Sequence, residues 1–225
     1  MNKQQLQDEY KTLIREKRFV DLDRLIQKTT IKPAEYSVRI GVKTYLGEKR
    51  SLKTKLFFII KLLEITETNL DANIIQDICK LMLELGNPYT LEFFAKKTSI
   101  DEAIYKEIKG YIQKHYSTYI KEGKLVEITK LMEISKIEPS ESLIFEGYKN
   151  YLQEGNIISY LNLQKRTEIE PKKEFILEMF QFYKNKSDIS PKDNEDKGEG
   201  YWEKRIEKLS KATGIEYKGV IDGRD

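Results

Sequence analysis

The sequence predicts an all-α fold: an α-α hairpin repeat solenoid of about five units plus a half unit, with a short C-terminal segment. Three observations carry that expectation. Apolar residues recur at helical spacing, strand-like alternation is nearly absent, and the chain resembles itself. Equivalent positions fall at Tyr10, Val42, Cys79, Tyr116, Tyr148 and Phe180, with spacings of 32, 37, 37, 32 and 32 residues. Residues 31–48 aligned without gaps on 137–154 share eight of eighteen identities. A period in this range marks stacked helical hairpins.

Each column of the repeat has a physical role. Counting Tyr10 and its equivalents as position 1, position 4 (Leu13, Tyr45, Met82, Tyr119, Tyr151, Tyr183) and position 5 (Ile14, Leu46, Leu83, Ile120, Leu152) complete one apolar stripe of an amphipathic helix A. Position 8 holds Lys17, Lys49, Gly86, Gly123 and Gly155, and glycine there suits a left-handed residue that closes the helix. Positions 10, 13 and 16 (Phe19, Leu22 and Leu25; Ile157, Tyr160 and Leu163) give a shorter helix B, with Phe57 assigned to position 16 in the second unit. A Thr or Ser follows at position 20, an apolar residue at 22, and Pro33, Pro139 or Pro171 at 24. The proline is expected in the first turn of the next helix A, where its missing N–H is tolerated. The apolar residue two places earlier would pin the linker. The two units of 37 residues gain their extra five around residues 65–72 and 101–115. Neither helix of a hairpin buries its stripe alone, so stability comes from stacking neighbours.

Residues 1–187 are assigned to the solenoid, with the polar lead 1–8 as its N-terminal cap. Residues 188–200 (DISPKDNEDKGEG) lose periodicity and read as a flexible linker. Residues 201–225 form a short helical C-terminal segment holding the single tryptophan, Trp202. Two readings of it stay open: it folds back over the last repeat, or it orders on a partner with Trp202 as anchor.

Charged residues make up 34% of the chain with a net charge of only +3, a mixed surface that does not by itself call for nucleic acid. One cysteine excludes an internal disulfide, and with no signal peptide legible the expected location is the cytoplasm. The run LFFII at 56–60 is too short to span a bilayer and reads as a helix B buried on more than one side. Catalytic chemistry is not expected. His115 is the only histidine and lacks partners for a metal site, and Cys79 stands in an apolar column. No phosphate loop or nucleophile motif occurs, so the chain is read as no enzyme, with no cofactor, no metal and no catalytic residue.

The column that suggests a function is position 2: Lys11, Lys43, Lys80 and Lys149. Stacking would align them as a ladder able to follow an acidic peptide or a phosphodiester backbone. Position 7 (Glu16, Glu48, Glu122, Glu154) is a parallel acidic column, and the two together also describe a solvated face.

The runs YIKEGKLVEITKLMEISKIEP and YLQEGNIISYLNLQKRTEIEP resemble the hairpin repeats of the tetratricopeptide and pentatricopeptide superfamily over residues 10–186, more closely the second, whose units end in a similar Ile-x-Pro. Pentatricopeptide proteins bind single-stranded RNA along helix A; tetratricopeptide proteins mostly bind peptides or proteins. Six residues after the proline, where the pentatricopeptide code usually has Asn, Ser or Thr, this chain has Arg39, Phe145 and Leu177. A sequence-reading RNA code is therefore not implied. The expected function is a non-catalytic scaffold that binds a protein or peptide partner within a larger assembly, through Lys11, Lys43, Lys80 and Lys149 and independently through Trp202. The alternative is single-stranded RNA or DNA binding along the same lysines. No membrane partner is expected, and the oligomeric state is left open.

Overall fold

The computed structural model describes residues 1–98, 100, 102–188 and 200–217, except the side chains of 97 and 188. Among the described residues there are thirteen helices and no strand. Five of them are thirteen residues long and end at position 6 of the repeat: α1 (Lys3–Arg15), α3 (Glu35–Gly47), α5 (Ala72–Glu84), α8 (Lys109–Lys121) and α10 (Glu141–Gln153). Four are eleven residues long: α2 (Phe19–Thr29), α6 (Pro88–Thr98), α9 (Leu125–Ser135) and α11 (Ile157–Thr167). The remaining helices are α4 (Leu52–Thr66), α7 (Glu102–Glu107), α12 (Lys173–Asp188) and α13 (Tyr201–Thr213).

The chain divides into two compact units, residues 1–115 with 133–137, and residues 116–132 with 138–225. In the first, α1 packs on α2 and α3, α3 on α4 and α5, and α5 on α4, α6 and α7. In the second, α10 packs on α11 and α12, and α13 on α11 and α12.

Tyrosines in the apolar stripe have a second use inside each unit. The position 4 hydroxyls of Tyr45, Tyr151 and Tyr183, on α3, α10 and α12, donate to the carbonyls of Ile14, Ile120 and Leu152, each 31 residues earlier at position 5 two helices back, on α1, α8 and α10. The position 1 hydroxyls of Tyr10 and Tyr148 donate to the carbonyls of Ile31 and Ile169, 2.5 and 2.6 Å away and 21 residues later. One tyrosine column ties helix to helix; the other ties a helix to the linker that leaves its hairpin. A buried phenol needs such a partner. Each of Tyr45→Phe, Tyr151→Phe and Tyr183→Phe is expected to lower stability by about 1 kcal/mol, since ring burial is kept and one hydrogen bond is lost. Urea unfolding of the three variants measures this, and three neutral substitutions would refute it.

Helix ends explain the other columns. Thr29, Thr66, Thr98, Thr167 and Thr213 each donate a hydroxyl to the carbonyl four residues back at the last turn of their helices. Among the helices so closed, Thr30, Glu67 and Glu168 then take a left-handed conformation with φ between 50 and 56°, and Gly214 does so at 67°. The left-handed residue after α2, α4, α9 and α11 is thus Thr30, Glu67, Lys136 or Glu168 and not a glycine, so composition hides it. Position 8 behaves as expected at Lys17, Gly86, Gly123 and Gly155, all with positive φ. Lys49 departs, because α3 ends on Glu48 in extended conformation.

Three expectations are corrected. Pro33, Pro139 and Pro171 precede the helix rather than standing in its first turn: the first intrahelical bonds go to the carbonyls of Ala34, Ser140 and Lys172. The rings of Pro33 and Pro139 are buried at the position before the cap, where an apolar residue staples the chain entry. Ile31, expected to pin the linker with its side chain, is exposed and pins it through its carbonyl. The first extra five residues lie at the N-terminal end of α4, which is fifteen residues long. Leu56, Ile59, Leu62 and Thr66 therefore take the places of Ile157, Tyr160, Leu163 and Thr167. Phe57, expected in the buried column, points out and is exposed. The second insertion is α7, a short helix between α6 and α8.

The proposed linker falls at 189–199 outside the described residues, as do residues 218–225 of the C-terminal segment. The rest of that segment is α13. It ends as helix B does, with Thr213 bonded to the Leu209 carbonyl, Gly214 left-handed and Ile215 N–H donating to Thr213 Oγ1.

Candidate functional site

The lysines of position 2 stand on the solvent side of helices A. Lys11, Lys43 and Lys149 are exposed and Lys80 is half-buried; the first, second and fourth of the series Lys11, Lys43, Lys149, Lys80 share the compact unit of residues 1–115. Their charge is partly answered on their own helices. Lys11 pairs with Asp8 at 3.1 Å and Lys80 with Asp77 at 3.6 Å, three residues earlier in each case. Lys11 and Gln4 hold the Asp8 carboxyl below its usual range. At the place of Asp8 and Asp77, α3 has Ile40. Lys43 thus lacks the acidic neighbour that the other two have. Sequence reasoning noted the acidic column at position 7 but missed this one, which was legible as Asp or Glu three residues before Lys11, Lys80 and Lys149.

The position 7 acids have their own use at Glu48. It accepts a hydrogen bond from Lys17 at 2.5 Å and forms an ion pair with Arg50 at 2.8 Å, which together hold its carboxyl low, and Lys17 also lies over the rings of Tyr45 and Phe58. This joins the end of α1 to the end of α3.

Trp202 is 4% exposed, stacked on Tyr183 at 5.4 Å and edge-on to Phe182 and Tyr201. Of the two readings of the C-terminal segment, the fold-back is the one its placement matches. A partner would find no face of the indole to hold while α13 is docked. Of the three positions that correspond to base-reading ones in pentatricopeptide repeats, two are engaged and one is exposed: Arg39 bonds Asp71 at 2.7 Å and Glu35 at 3.2 Å, Phe145 packs on Tyr148 and Phe175, and Leu177 faces solvent.

The groups with catalytic potential are quiet. Cys79 is fully buried, and burial pushes its thiol up to about 12, so it stays protonated at neutral pH. His115 is held below its ordinary 6.5, first by burial and then by the Lys114 ammonium. The sign is that of a group whose protonated form the fold resists: below about pH 6.5 the unfolded chain takes up a proton that the folded chain refuses, and stability falls. His115→Gln is expected to flatten the decline in stability between about pH 7 and pH 5 relative to the parent chain. Urea midpoints at several pH values test it, and parallel curves would refute it.

Among the described residues, two of the cavities lined by the first unit bear on a site. The larger, about 670 Å³, is lined by residues of α4 to α7 and the loop after α4, with Leu63, Ile75, Phe93 and Ile104 beside the polar Glu64, Glu67, Thr68 and Asn69. Its two carboxylates are engaged by lysines, Glu64 with Lys61 at 3.2 Å and Glu67 with Lys32 at 2.5 Å. The smaller, about 270 Å³, is a groove between α1 and α3 lined by Lys11, Thr12, Ile14, Arg15, Ser37, Ile40, Gly41, Thr44 and Tyr45. Here two cations meet an apolar wall. Gly41 allows the close approach, since a Cβ there would stand 2.5 Å from Ile14 Cγ2. This groove contains Lys11 from the predicted set, lies beside Lys43 on α3, and excludes Lys80 and Lys149. No protein-family model, curated protein or solved structure matches the chain.

Proposed function

We propose that the chain is a non-catalytic helical-repeat scaffold, a hairpin solenoid similar to the tetratricopeptide and pentatricopeptide superfamily, that binds a protein or peptide partner on the exposed side of its helices A. The observation that carries the reading is the tyrosine framework. Tyr45, Tyr151 and Tyr183 fix three of the helices A, α3, α10 and α12, to the helix A before them through a buried hydroxyl and the same carbonyl column. That bonding is spent on the inner stripe, which leaves the side chains of positions 2 and 6 outside it, such as Lys11, Lys43, Lys149, Arg15 and Lys121, exposed. Such a division between a fixed frame and an exposed face suits recognition.

Protein binding is favoured over nucleic acid by the pairing of Lys11 with Asp8 and Lys80 with Asp77. A phosphate track gains its affinity by releasing counterions from the nucleic acid, and cations already matched by carboxylates on the same helix contribute less. Fluorescence anisotropy with mixed-sequence single-stranded RNA, at low and near-physiological salt, separates the readings. The scaffold reading expects no saturable binding at either salt concentration. Saturable binding that weakens log-linearly with salt would replace it with the RNA reading.

A further inference from the structure

Resting on the scaffold reading, we infer that the α1–α3 groove is the partner site and that its ligand is a peptide segment carrying an Asp or Glu next to an apolar side chain. The first observation is Ser37. It is only 5% exposed, it lines the groove, and its hydroxyl has no hydrogen-bond partner. A buried hydroxyl without a partner is unfavourable unless something supplies one. A ligand carbonyl or carboxylate entering the groove would accept from it.

The second observation is internal to the chain. At the position of Ser37 the later helices A carry Ile74, Tyr111, Leu143 and Phe175. In α10, which repeats the geometry of α3 down to Gly147 against Ile120, the residue is Leu143. Serine thus stands where a large apolar side chain is the rule, and the groove is the space which that side chain would fill. Its neighbours depart in the same place: Tyr36 and Ile40 are 71% and 45% exposed, whereas α10 has Ser142 and Glu146. An acidic residue has been exchanged for an apolar one at the very site where the hydroxyl is left open.

The third is charge. Lys11 and Arg15 border the groove on α1, and Lys43 follows Ile40 on α3. Arg15 and Lys43 have no ion-pair partner among the described residues. Asp8 pairs with Lys11, but both are exposed, and such a pair is readily exchanged for a ligand carboxylate. The groove is smaller than the cavities that enclose whole drug-sized ligands, so it accepts a side chain of a longer segment. The apolar side chain seats in the groove against Ile14 and Ile40. The carboxylate meets Lys11 and Arg15, and Ser37 donates to the segment's oxygen.

The test is selection of a phage-displayed random 12-residue peptide library on the immobilised full chain, followed by anisotropy of the selected peptides against variants. The expected result is a consensus with Asp or Glu adjacent to an apolar residue. Binding should weaken at least tenfold with Ser37→Leu, which fills the groove as Leu143 does, and with Lys11→Glu plus Arg15→Glu. The thermal midpoint of Ser37→Leu should be unchanged or higher, and if that variant fails to fold, the charge variant alone decides. A consensus without acidic residues, or peptides indifferent to both variants, overturns the inference and leaves the scaffold reading standing. Failure to select any peptide, together with saturable RNA binding, overturns both.

Discussion

Trp202→Ala is expected to destabilise the compact unit that contains it by about 3–5 kcal/mol, the range for removing a buried large aromatic side chain. The indole stacks on Tyr183, whose hydroxyl in turn holds the Leu152 carbonyl at 2.6 Å. Loss of the ring therefore loosens α13 and the tie between α12 and α10 together. Tyr201 is close behind it, with its hydroxyl within 2.6 Å of where a Cβ on Gly155 would stand and with Arg205 donating to it at 3.1 Å. Hydrogen exchange should show amide protection in 201–213 falling in the variant while α1 to α5 keep theirs. A variant as stable as the parent, with unchanged protection, would mean that α13 is an accessory segment and would return Trp202 to the role of a partner anchor.

Gly147→Ala is the second large effect, and its sign is the informative part. In an exposed helix interior, alanine gains about 1 kcal/mol over glycine. At Gly147 the new Cβ would come within 2.5 Å of Ile120 Cγ2 and 2.9 Å of Leu163 Cδ2. Ile120 cannot move aside, because its Cγ2 branches at Cβ and the residue is buried. Overpacking of this kind costs about 1–3 kcal/mol, which outweighs the propensity gain, so the variant should be less stable. Pairing it with Ile120→Ala should give a double variant less destabilised than the sum of the singles, because the two changes act on one contact. A stabilising Gly147→Ala would refute the close approach of α8 and α10. Gly41 meets Ile14 at the same 2.5 Å, which makes Gly41→Ala an independent repeat of the measurement in the other unit.

Much of the helical framework was legible because helix stripes and helix stops are local. The spacing of Tyr10, Leu13 and Ile14 marks one buried face wherever the helix is placed, and Gly86, Gly123 and Gly155 announce left-handed caps because few other residues adopt that conformation cheaply. Thr30, Glu67 and Glu168 adopt it too, each closing its helix with its N–H donating to the carbonyl four residues back, and nothing in their side chains says so. The place of the first insertion was similarly hidden. Adding five residues to α4 shifts which of Leu56, Phe57 and Ile59 faces inward, and only packing against α3 and α5 decides that choice.

The candidate site divides in the same way. By itself the sequence determined the lysine column and the acids three residues before it, since these depend on spacing along one helix, and the recurrence of similar stretches, which is a property of the sequence alone. Only the tertiary structure decided that Trp202 is core, that the two tyrosine columns bond to carbonyls 31 residues before or 21 residues after them, and that Ser37 faces a groove with an unpartnered hydroxyl. Those outcomes turn on which atoms meet across helices, and a one-dimensional pattern records the period of a helix face but not what stands opposite it.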